Sequence, residues 1–309
     1  MDETEAQRLF KKVQIYCWIL TTKSGVVSKA AGVNFTWAQR CNKHVFFASA
    51  YGDETTPMPL APGATAPPKV TFDLNSGERQ DHTTSDGQTF ATITIGDVIF
   101  IDTPEGYHNL TEKSREVLQF LYLTEIDKYG WFLKADDDTY IIMENLRYYL
   151  EGLDINKPAY LGYQLEPTWF DSPYMSGGAG YVFNRAGLKL LVEKGIQTKG
   201  TCQEKGSFED LEVGRCAVRA GVVIHSTLDK FERETFHPDH INDFIPGPPP
   251  EWLYYYARNK PKGVSGSFLQ ACVYLLKPII EFIVSNVRDR LSLSVPTYFS
   301  TFVEDAYWT

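Results

Sequence analysis

The chain has little positive charge for its length. Its 309 residues contain 30 Lys and Arg against 39 Asp and Glu, which gives a net charge of −9. A protein that binds nucleic acid generally presents a basic stripe or patch, so the acidic balance predicts no nucleic-acid partner. A diphosphate substrate stays compatible with this balance, because a metal ion and a few nearby cations supply the positive field that it needs.

Long apolar runs are also missing. The first apolar run covers only residues 13–20, and a bilayer span needs ~20 residues. A second apolar stretch, residues 271–284, is interrupted by charged residues and a proline, which favours an amphipathic or packed helix. Residues 1–7 are acidic and polar, unlike a secretory signal peptide. We therefore expect either a soluble chain or one whose anchor lies outside these residues, since neither an anchor nor a signal is visible in them.

Cysteine is scarce, and its spacing is not that of a zinc site. The five cysteines are Cys17, Cys41, Cys202, Cys216 and Cys272, and no two are arranged as CxxC. Cys202 and Cys216 flank a short loop and a predicted helix, so they are able to approach to disulfide distance. Cys17 lies inside an apolar strand, where we expect a buried thiol.

The most informative feature is three consecutive carboxylates after an apolar run, WFLKADDD at residues 131–138. This pattern predicts a buried strand that ends in a cleft. Asp136 and Asp138 share a face if the strand continues. Carboxylate oxygens suit Mg²⁺ or Mn²⁺, and an Asp-x-Asp pair of this kind holds the diphosphate of a nucleotide-sugar. The alternative is a solvated acidic turn, which the preceding Trp-Phe-Leu disfavours.

Predicted strands and helices alternate along the chain. The predicted strands are 13–20, 44–48, 97–102, 131–134, 158–162 and 181–183, and the predicted helices are 29–40, 110–129, 144–150, 185–194 and 208–220. This alternation predicts an α/β fold with a mostly parallel sheet and helices on both faces. Ligands in such sheets bind at the carboxyl ends of the strands, where residues 136–138 are expected.

The domain organisation follows from the same pattern. We expect a polar N-terminal segment at 1–12, one catalytic domain at 13–255 and a divergent tail with an amphipathic helix at 256–309. Residues 52–69 are rich in Pro, Gly and Thr, and residues 70–96 have no clear periodicity. We therefore expect a mobile insertion over 52–96.

Other chemistry-bearing residues lie downstream. The glycine-rich turn at 176–180 precedes a predicted strand and suggests the floor of a substrate pocket. Glu209 and Asp210 open a predicted helix, where acids are favoured by the helix dipole or where one of them acts as a general base. His225, His237 and His240 are each either a metal ligand or a structural histidine.

Six segments occur in the order typical of one known family. They are TWAQRC at 36–41, WFLKADDDTY at 131–140, ENLR at 144–147, YMSGGAGY at 174–181, EDL with GRC at 209–216, and ETFHP at 234–238. Over residues 13–255 the chain resembles the fringe-like inverting β-1,3-glycosyltransferases, and within them the core 1 galactosyltransferases. The resemblance implies a GT-A (Rossmann-like) glycosyltransferase fold, a UDP-galactose donor and Mn²⁺. It also implies transfer of galactose to the 3-hydroxyl of GalNAc on Ser or Thr of a glycoprotein or glycopeptide.

The resemblance assigns roles to individual residues. Asp136 and Asp138 would bind the metal with His237 as a further candidate ligand, and Asp210 would be the base with Glu209 as its competitor. The expected contacts to the nucleotide-sugar are Thr36, Trp37, Arg40, Lys113, Asp136, Asp137, Tyr174, Gly177 and Gly178. The Cys202–Cys216 pair matches a family disulfide. The resemblance also implies a type II membrane protein of the Golgi lumen, and a homodimer is among the assemblies left open.

The chain departs from the family at its C-terminal end. The family has a double cysteine followed by a histidine-bearing segment, whose histidine is expected to complete the metal shell. Here residues 262–266 read KGVSG and are followed by an apolar tail without histidine. Two alternatives therefore stay open beside the galactosyltransferase: a fringe-like transferase of another UDP-sugar, and a non-catalytic chaperone-like paralogue. The retained acidic triplet favours an enzyme.

Overall fold

The fold centres on one large sheet flanked by helices. The structure is a computed structural model that describes residues 3–52, 72–206, 208–239 and 248–260. In the described chain, nine strands form the main sheet in the order β11-β7-β10-β6-β1-β2-β5-β4-β3, and β8 pairs with β9. The strands are β1 (Ile15–Leu20), β2 (Lys43–Tyr51), β3 (Glu78–Thr83), β4 (Thr89–Ile95), β5 (Val98–Pro104), β6 (Trp131–Asp136), β7 (Ala159–Gly162), β8 (Gln164–Leu165), β9 (Tyr174–Met175), β10 (Tyr181–Asn184) and β11 (Val223–Ile224).

Helices connect most of these strands. They are α1 (Glu3–Lys12), α2 (Lys23–Val26), α3 (Lys29–Phe35), α4 (Leu110–Thr124), α5 (Met143–Leu150), α6 (Arg185–Leu190), α7 (Glu209–Ala220) and α8 (Glu251–Tyr256). Single 3₁₀ turns cover Ala38–Arg40, Leu74–Ser76 and Tyr107–Asn109, and α6 continues as a π-helical turn, Leu191–Ile196. The predicted helix over 29–40 is therefore α3 followed by a separate 3₁₀ turn.

Parallel pairing is concentrated in the middle of the sheet. Strands β6, β1, β2 and β5 are mutually parallel, whereas β10 and the β3–β4 hairpin pair antiparallel at either side. Register places Leu20 of β1 beside Asp136 of β6, so these two strands end together. The α/β prediction is confirmed, and the acidic triplet lies at the carboxyl edge of the parallel strands.

Each face of the sheet packs a separate apolar core. In β1, Tyr16, Trp18 and Leu20 enter the core that includes residues of α4, α6 and α7. The alternating residues Ile15, Cys17 and Ile19 enter the core beneath α1, α3 and α5. Side chains of a strand alternate between faces, so an all-apolar strand is covered by helices on both sides, as predicted.

The structure corrects the expectation for residues 52–96. Residues 78–95 form the hairpin of β3 and β4, which adds two strands to the sheet through pairing of β4 with β5. Ile93 and Ile95 pack against the small core around Phe100, and this apolar contact joins the hairpin to the rest of the sheet. Residues 53–71 lie outside the described part of the chain.

Three further expectations have a structural outcome. Cys17 is not a free thiol: it forms a disulfide with Cys41, because the 3₁₀ turn after α3 brings Cys41 back to β1. The Cys202–Cys216 disulfide is present as predicted. The polar segment at the N-terminus is helix α1, which buries Leu9. The expected helix at 271–284 lies outside the described residues.

Candidate active site

The acidic triplet begins at the last residue of β6 and continues into a tight turn. The backbone N–H of Asp136 donates to Thr139 Oγ1, and the N–H of Thr139 donates to the carbonyl of Asp136, both at 3.1 Å. Trp37 supports this turn from the core side, since its Nε1 donates to the Thr139 carbonyl at 2.9 Å. The turn therefore fixes where the three carboxylates emerge.

Asp137 is the least exposed member of the triplet, with its side chain 12% exposed. Thr21, the residue after β1, donates from its hydroxyl to Asp137 Oδ2 at 2.7 Å. Burial raises the pKa of Asp137, against the opposing effects of this hydrogen bond and of Lys29. A Cβ atom at Gly25 would lie 2.4 Å from Asp137 Oδ2. Only glycine at this position leaves space for the carboxylate.

Asp138 is the exposed member. Its side chain is 64% exposed, and its Oδ2 accepts from Lys29 Nζ at 2.8 Å. Lys29 also lies 3.9 Å from Asp137. Because a surface ion pair of this kind contributes little stability, the Asp138 carboxylate is easily diverted to a ligand that approaches from solvent.

Asp136 is paired with a buried lysine. Its Oδ2 accepts from Lys134 Nζ at 2.8 Å, and the Lys134 side chain is only 2% exposed. Burial acts to lower the pKa of Lys134, but the neighbouring carboxylates Asp136, Glu209 and Asp210 outweigh it and raise the pKa. The lysine is therefore held in its charged form beside the triplet.

Glu209 and Asp210 approach the same edge from the first turn of α7. Asp210 Oδ2 accepts from the backbone N–H of Gly177 and its Oδ1 from that of Leu211, both at 2.9 Å. Glu209 Oε1 accepts from the hydroxyl of Tyr181 at 2.6 Å. Burial raises the pKa of both carboxyls. A carboxylate whose pKa is raised toward the working pH has the character of a general base.

The glycine-rich turn joins the two halves of the site. Gly178 accepts from Thr139 Oγ1 at 3.3 Å through its carbonyl, while Gly177 binds Asp210. Tyr174 is buried and lies under α7, where a Cβ at Gly214 would come within 2.3 Å of the Tyr174 Cβ. The predicted pocket floor is thus a bridge between the β6 turn and α7, with Tyr174 supporting it.

Four more side chains are predicted to contact a nucleotide-sugar, and they differ in their surroundings. Trp37 and Lys113 are both buried, and Lys113 Nζ donates to the Thr21 carbonyl at 2.7 Å and lies 3.4 Å from Glu105. Trp37 and Lys113 are therefore linked to the triplet indirectly, by hydrogen bonds to the backbone carbonyls of Thr139 and Thr21. Arg40 pairs with Glu144 at 3.0 Å on the surface, and Thr36 donates to Gly32 at the end of α3. Direct contact of these four side chains with a ligand stays a prediction.

The histidines are only partly brought to the site. Burial lowers the pKa of His237 to about 4, and the following Pro238 carbonyl would lie 3.0 Å from a Cβ at Gly178. The segment that carries His237 thus runs along the glycine-rich turn. His225 follows β11, and its backbone N–H donates to the Tyr160 carbonyl. His240 lies outside the described residues.

The donor set fits a divalent cation that is completed by phosphate. Among the residues that the structure describes, no three His, Cys, Asp or Glu side chains cluster tightly enough to hold a metal alone. Asp136 and Asp138 nevertheless offer carboxylate oxygens from one short turn, and Asp138 is open to solvent. Mg²⁺ and Mn²⁺ sites of one or two carboxylates plus substrate phosphates need no more than this.

Sequence reasoning missed three residues of the site: Thr21, Lys29 and Lys134. Lys134 had a visible signal, because a lysine inside an apolar strand needs a buried partner. Thr21 and Lys29 had no such signal, since their closeness to the triplet depends on the pairing of β1 with β6. Tyr181 ends the segment YMSGGAGY, one of the six that carry the family resemblance, and binds Glu209 from β10.

Comparison with known proteins finds that the chain is similar to glycosyltransferases. Residues 78–169 match the galactosyltransferase family. The chain is 32% identical over 237 residues to glycoprotein-N-acetylgalactosamine 3-beta-galactosyltransferase 1 of Xenopus laevis, an alignment that covers 77% of this chain and 54% of the relative. The resemblance predicted from the six segments is confirmed, and the chain spans about half the length of that relative.

Two other relatives align over shorter stretches. Chondroitin sulfate synthase 3 of Homo sapiens is 34% identical over 124 residues, which cover 36% of this chain and 13% of the relative. Beta-1,3-glucosyltransferase of Homo sapiens is 30% identical over 126 residues, which cover 39% of this chain and 24% of the relative. These comparisons support the prediction of a glycosyltransferase. In the described residues, no helix has the length and apolar character needed to cross a membrane.

Proposed function

We propose that the chain is an inverting glycosyltransferase that moves galactose from UDP-galactose to the 3-hydroxyl of GalNAc O-linked to Ser or Thr. The observation that carries this proposal is the meeting of two carboxylate groups at one sheet edge. The triplet at the end of β6 and Asp210 at the start of α7 are joined through Lys134 and Gly177. The triplet suits a metal-bound diphosphate, and Asp210 suits removal of a proton from the acceptor hydroxyl.

The donor half of the site is the β6 turn. Asp136 and Asp138 would hold Mn²⁺ together with the diphosphate, and Asp137, fixed by Thr21, would lie on the nucleotide side. The chemistry that a bound Mn²⁺ supplies is Lewis-acid neutralisation of charge on the departing UDP. Lys29 already pairs with Asp138 and is exposed, so it adds a positive charge near the phosphate position.

The acceptor half is the first turn of α7. Asp210 removes the proton of the acceptor hydroxyl, which attacks the anomeric carbon in line as UDP departs. An inverting transfer needs no protein nucleophile, so a single base suffices. Two backbone N–H groups orient the Asp210 carboxylate. Glu209 is the weaker candidate, because its carboxylate is already bonded to Tyr181 in the core.

The donor sugar and the acceptor are taken from the longer of the similarities described above. The relative that aligns over 77% of this chain is named as acting on glycoprotein N-acetylgalactosamine. The relatives named for chondroitin sulfate synthesis and for glucosyl transfer align over 36% and 39%. The residues of the β6 turn bind diphosphate and metal and do not discriminate among sugars, so a transferase of another UDP-sugar is the alternative.

The compartment is part of the same proposal. Two disulfides, Cys17–Cys41 and Cys202–Cys216, favour an oxidising environment. We place the chain in the lumen of the secretory pathway, and in the Golgi by its similarity to core 1 enzymes. Membrane attachment and homodimerisation stay predictions.

A panel of donors tests the proposed function. The protein is incubated with UDP-galactose, UDP-glucose, UDP-GlcNAc or UDP-GalNAc, a GalNAc-Thr glycopeptide and MnCl₂, and the product is identified by mass spectrometry. We expect transfer from UDP-galactose only. Preference for another donor would support the alternative transferase. Absence of transfer and of Mn²⁺-dependent UDP binding would overturn the enzyme and favour a chaperone-like paralogue.

A further inference from the structure

We propose that Lys134 is a positioning residue that couples the diphosphate half of the site to the acceptor base through the backbone of Gly177. The inference rests on the proposed function and deepens it by naming the connection between the two halves. It concerns a side chain that is only 2% exposed, so Lys134 acts through its protein neighbours Asp136, Gly177 and Asp210.

The ammonium of Lys134 is shared between two elements. Its Nζ donates to Asp136 Oδ2 at 2.8 Å and to the carbonyl of Gly177 at 3.2 Å. It also lies 5.7 Å from the centroid of the Tyr181 ring, whose hydroxyl binds Glu209. A buried ammonium requires several such partners, because burial of an unpaired charge is very unfavourable. The lysine therefore holds β6 and the glycine-rich turn in one arrangement.

Gly177 transmits this arrangement to the base. Its carbonyl accepts from Lys134, and its N–H donates to Asp210 Oδ2 at 2.9 Å. A Cβ at Gly177 would lie 3.4 Å from both Lys134 Nζ and Asp210 Cβ. The residue is thus packed between the two side chains. Movement of Lys134 must displace the Gly177 backbone, and with it the donor that orients Asp210.

The charge of Lys134 also acts directly on the base. The groups that influence Asp210 include Lys134, the N–H groups of Gly177 and Leu211, and the carboxylates of Asp136 and of the adjacent Glu209. Burial raises the pKa of Asp210, and Lys134 opposes that increase. A neutral side chain at position 134 would remove this opposition. The pKa of Asp210 would then rise further, and less of the base would be ionised at a given pH.

Lys134→Met tests the coupling, because methionine keeps most of the volume and removes the charge. We expect kcat to fall about a hundredfold, as for a displaced catalytic group. We also expect the acid limb of kcat/KM to move to higher pH and Mn²⁺-dependent UDP affinity to weaken. The matched control is Arg115→Met, which removes another buried cation, bonded to Gln203 and outside the site. It should lower Tm without moving the acid limb.

Two more measurements keep the test decisive. If Lys134→Met fails to fold, Lys134→Gln removes the same charge while keeping a polar side chain, and it should move the acid limb and UDP affinity together. If the wild-type protein transfers no sugar, the proposed function fails, and crystal structures of wild type and Lys134→Met test the coupling alone. Displacement of both Asp136 and Asp210 supports it. Unchanged positions of Gly177 and Asp210, or an unchanged acid limb in an active variant, would overturn it.

Discussion

Thr21 and Asp137 are 116 positions apart in sequence, and the hydroxyl of Thr21 donates to Asp137 Oδ2 over 2.7 Å. The contact exists because β1 and β6 are neighbouring parallel strands that end at the same level. It holds the least exposed carboxylate of the triplet in one orientation. The nucleotide side of the proposed site therefore depends on a residue of a different strand.

Thr21→Val should weaken nucleotide binding without unfolding the protein. Valine keeps the shape of threonine and removes the donor to Asp137. A hydrogen bond to a charged group contributes about 1.5–3 kcal/mol, so we expect UDP affinity to fall at least tenfold in calorimetry. Thr124→Val, which removes a hydroxyl bonded within α4, is the control. Equal UDP affinity of both variants would contradict the role of Thr21.

The two acids of α7 are distinguished by substitution. Asp210→Asn should lower kcat by 10²–10⁴, about the contribution of a general base, with UDP affinity nearly unchanged. Glu209→Gln should lower kcat much less, because Glu209 is bonded to Tyr181. Initial rates of galactose transfer give both values. Near-normal kcat in folded Asp210→Asn, or a larger loss in Glu209→Gln, would show the base assignment to be wrong.

The raised pKa of Asp210 has consequences for both rate and stability. Burial is its main cause, so kcat/KM should decline with falling pH at values above those of an ordinary aspartate. The same raised pKa affects stability in the opposite direction. A carboxyl with a raised pKa stabilises the fold at low pH, and that contribution is lost as pH rises through the folded-state pKa. At neutral pH, Asp210→Asn should therefore have a Tm equal to or above that of wild type. A large decrease in Tm would contradict this account.

The Cys17–Cys41 disulfide should be a main contributor to stability. Removing it in the Cys17→Ala, Cys41→Ala double variant should lower the free energy of unfolding by about 3 kcal/mol, measured by urea denaturation. Non-reducing peptide mapping identifies the pair. Detection of Cys17 as a free thiol would contradict the structure. The Cys202→Ala, Cys216→Ala variant provides the comparison at the other disulfide.

The elements nearest the site were predictable, because their patterns are local. The strand before Asp136 and the helix from Glu209 were both expected close to their observed bounds. The β3–β4 hairpin was not expected, since most side chains of β3 are exposed and give no apolar alternation. Cys41 was not recognised as the partner of Cys17, because its approach depends on the turn at Ala38–Arg40. Long-range pairing, rather than local propensity, accounts for these differences.

The same distinction applies within the site. The triplet and the acids of α7 were identifiable from residue type and spacing. The connection through Lys134 and Gly177 was not, because it requires the antiparallel pairing of β10 with β6 that brings the glycine-rich turn beside the triplet. Residue chemistry predicted the two halves of the site, and only the topology of the sheet shows how they are joined.

Calorimetric titration of UDP in the presence and absence of MnCl₂ tests the central claim, that the triplet is a nucleotide-sugar site, most directly. Wild type is compared with Asp138→Ala and with Asp81→Ala, a matched exposed aspartate of β3. Asp138 is exposed, so its loss should leave Tm almost unchanged. We predict Mn²⁺-dependent binding for wild type and Asp81→Ala and none for Asp138→Ala. Absence of Mn²⁺-dependent binding in wild type, or full retention of it in Asp138→Ala, would contradict the account.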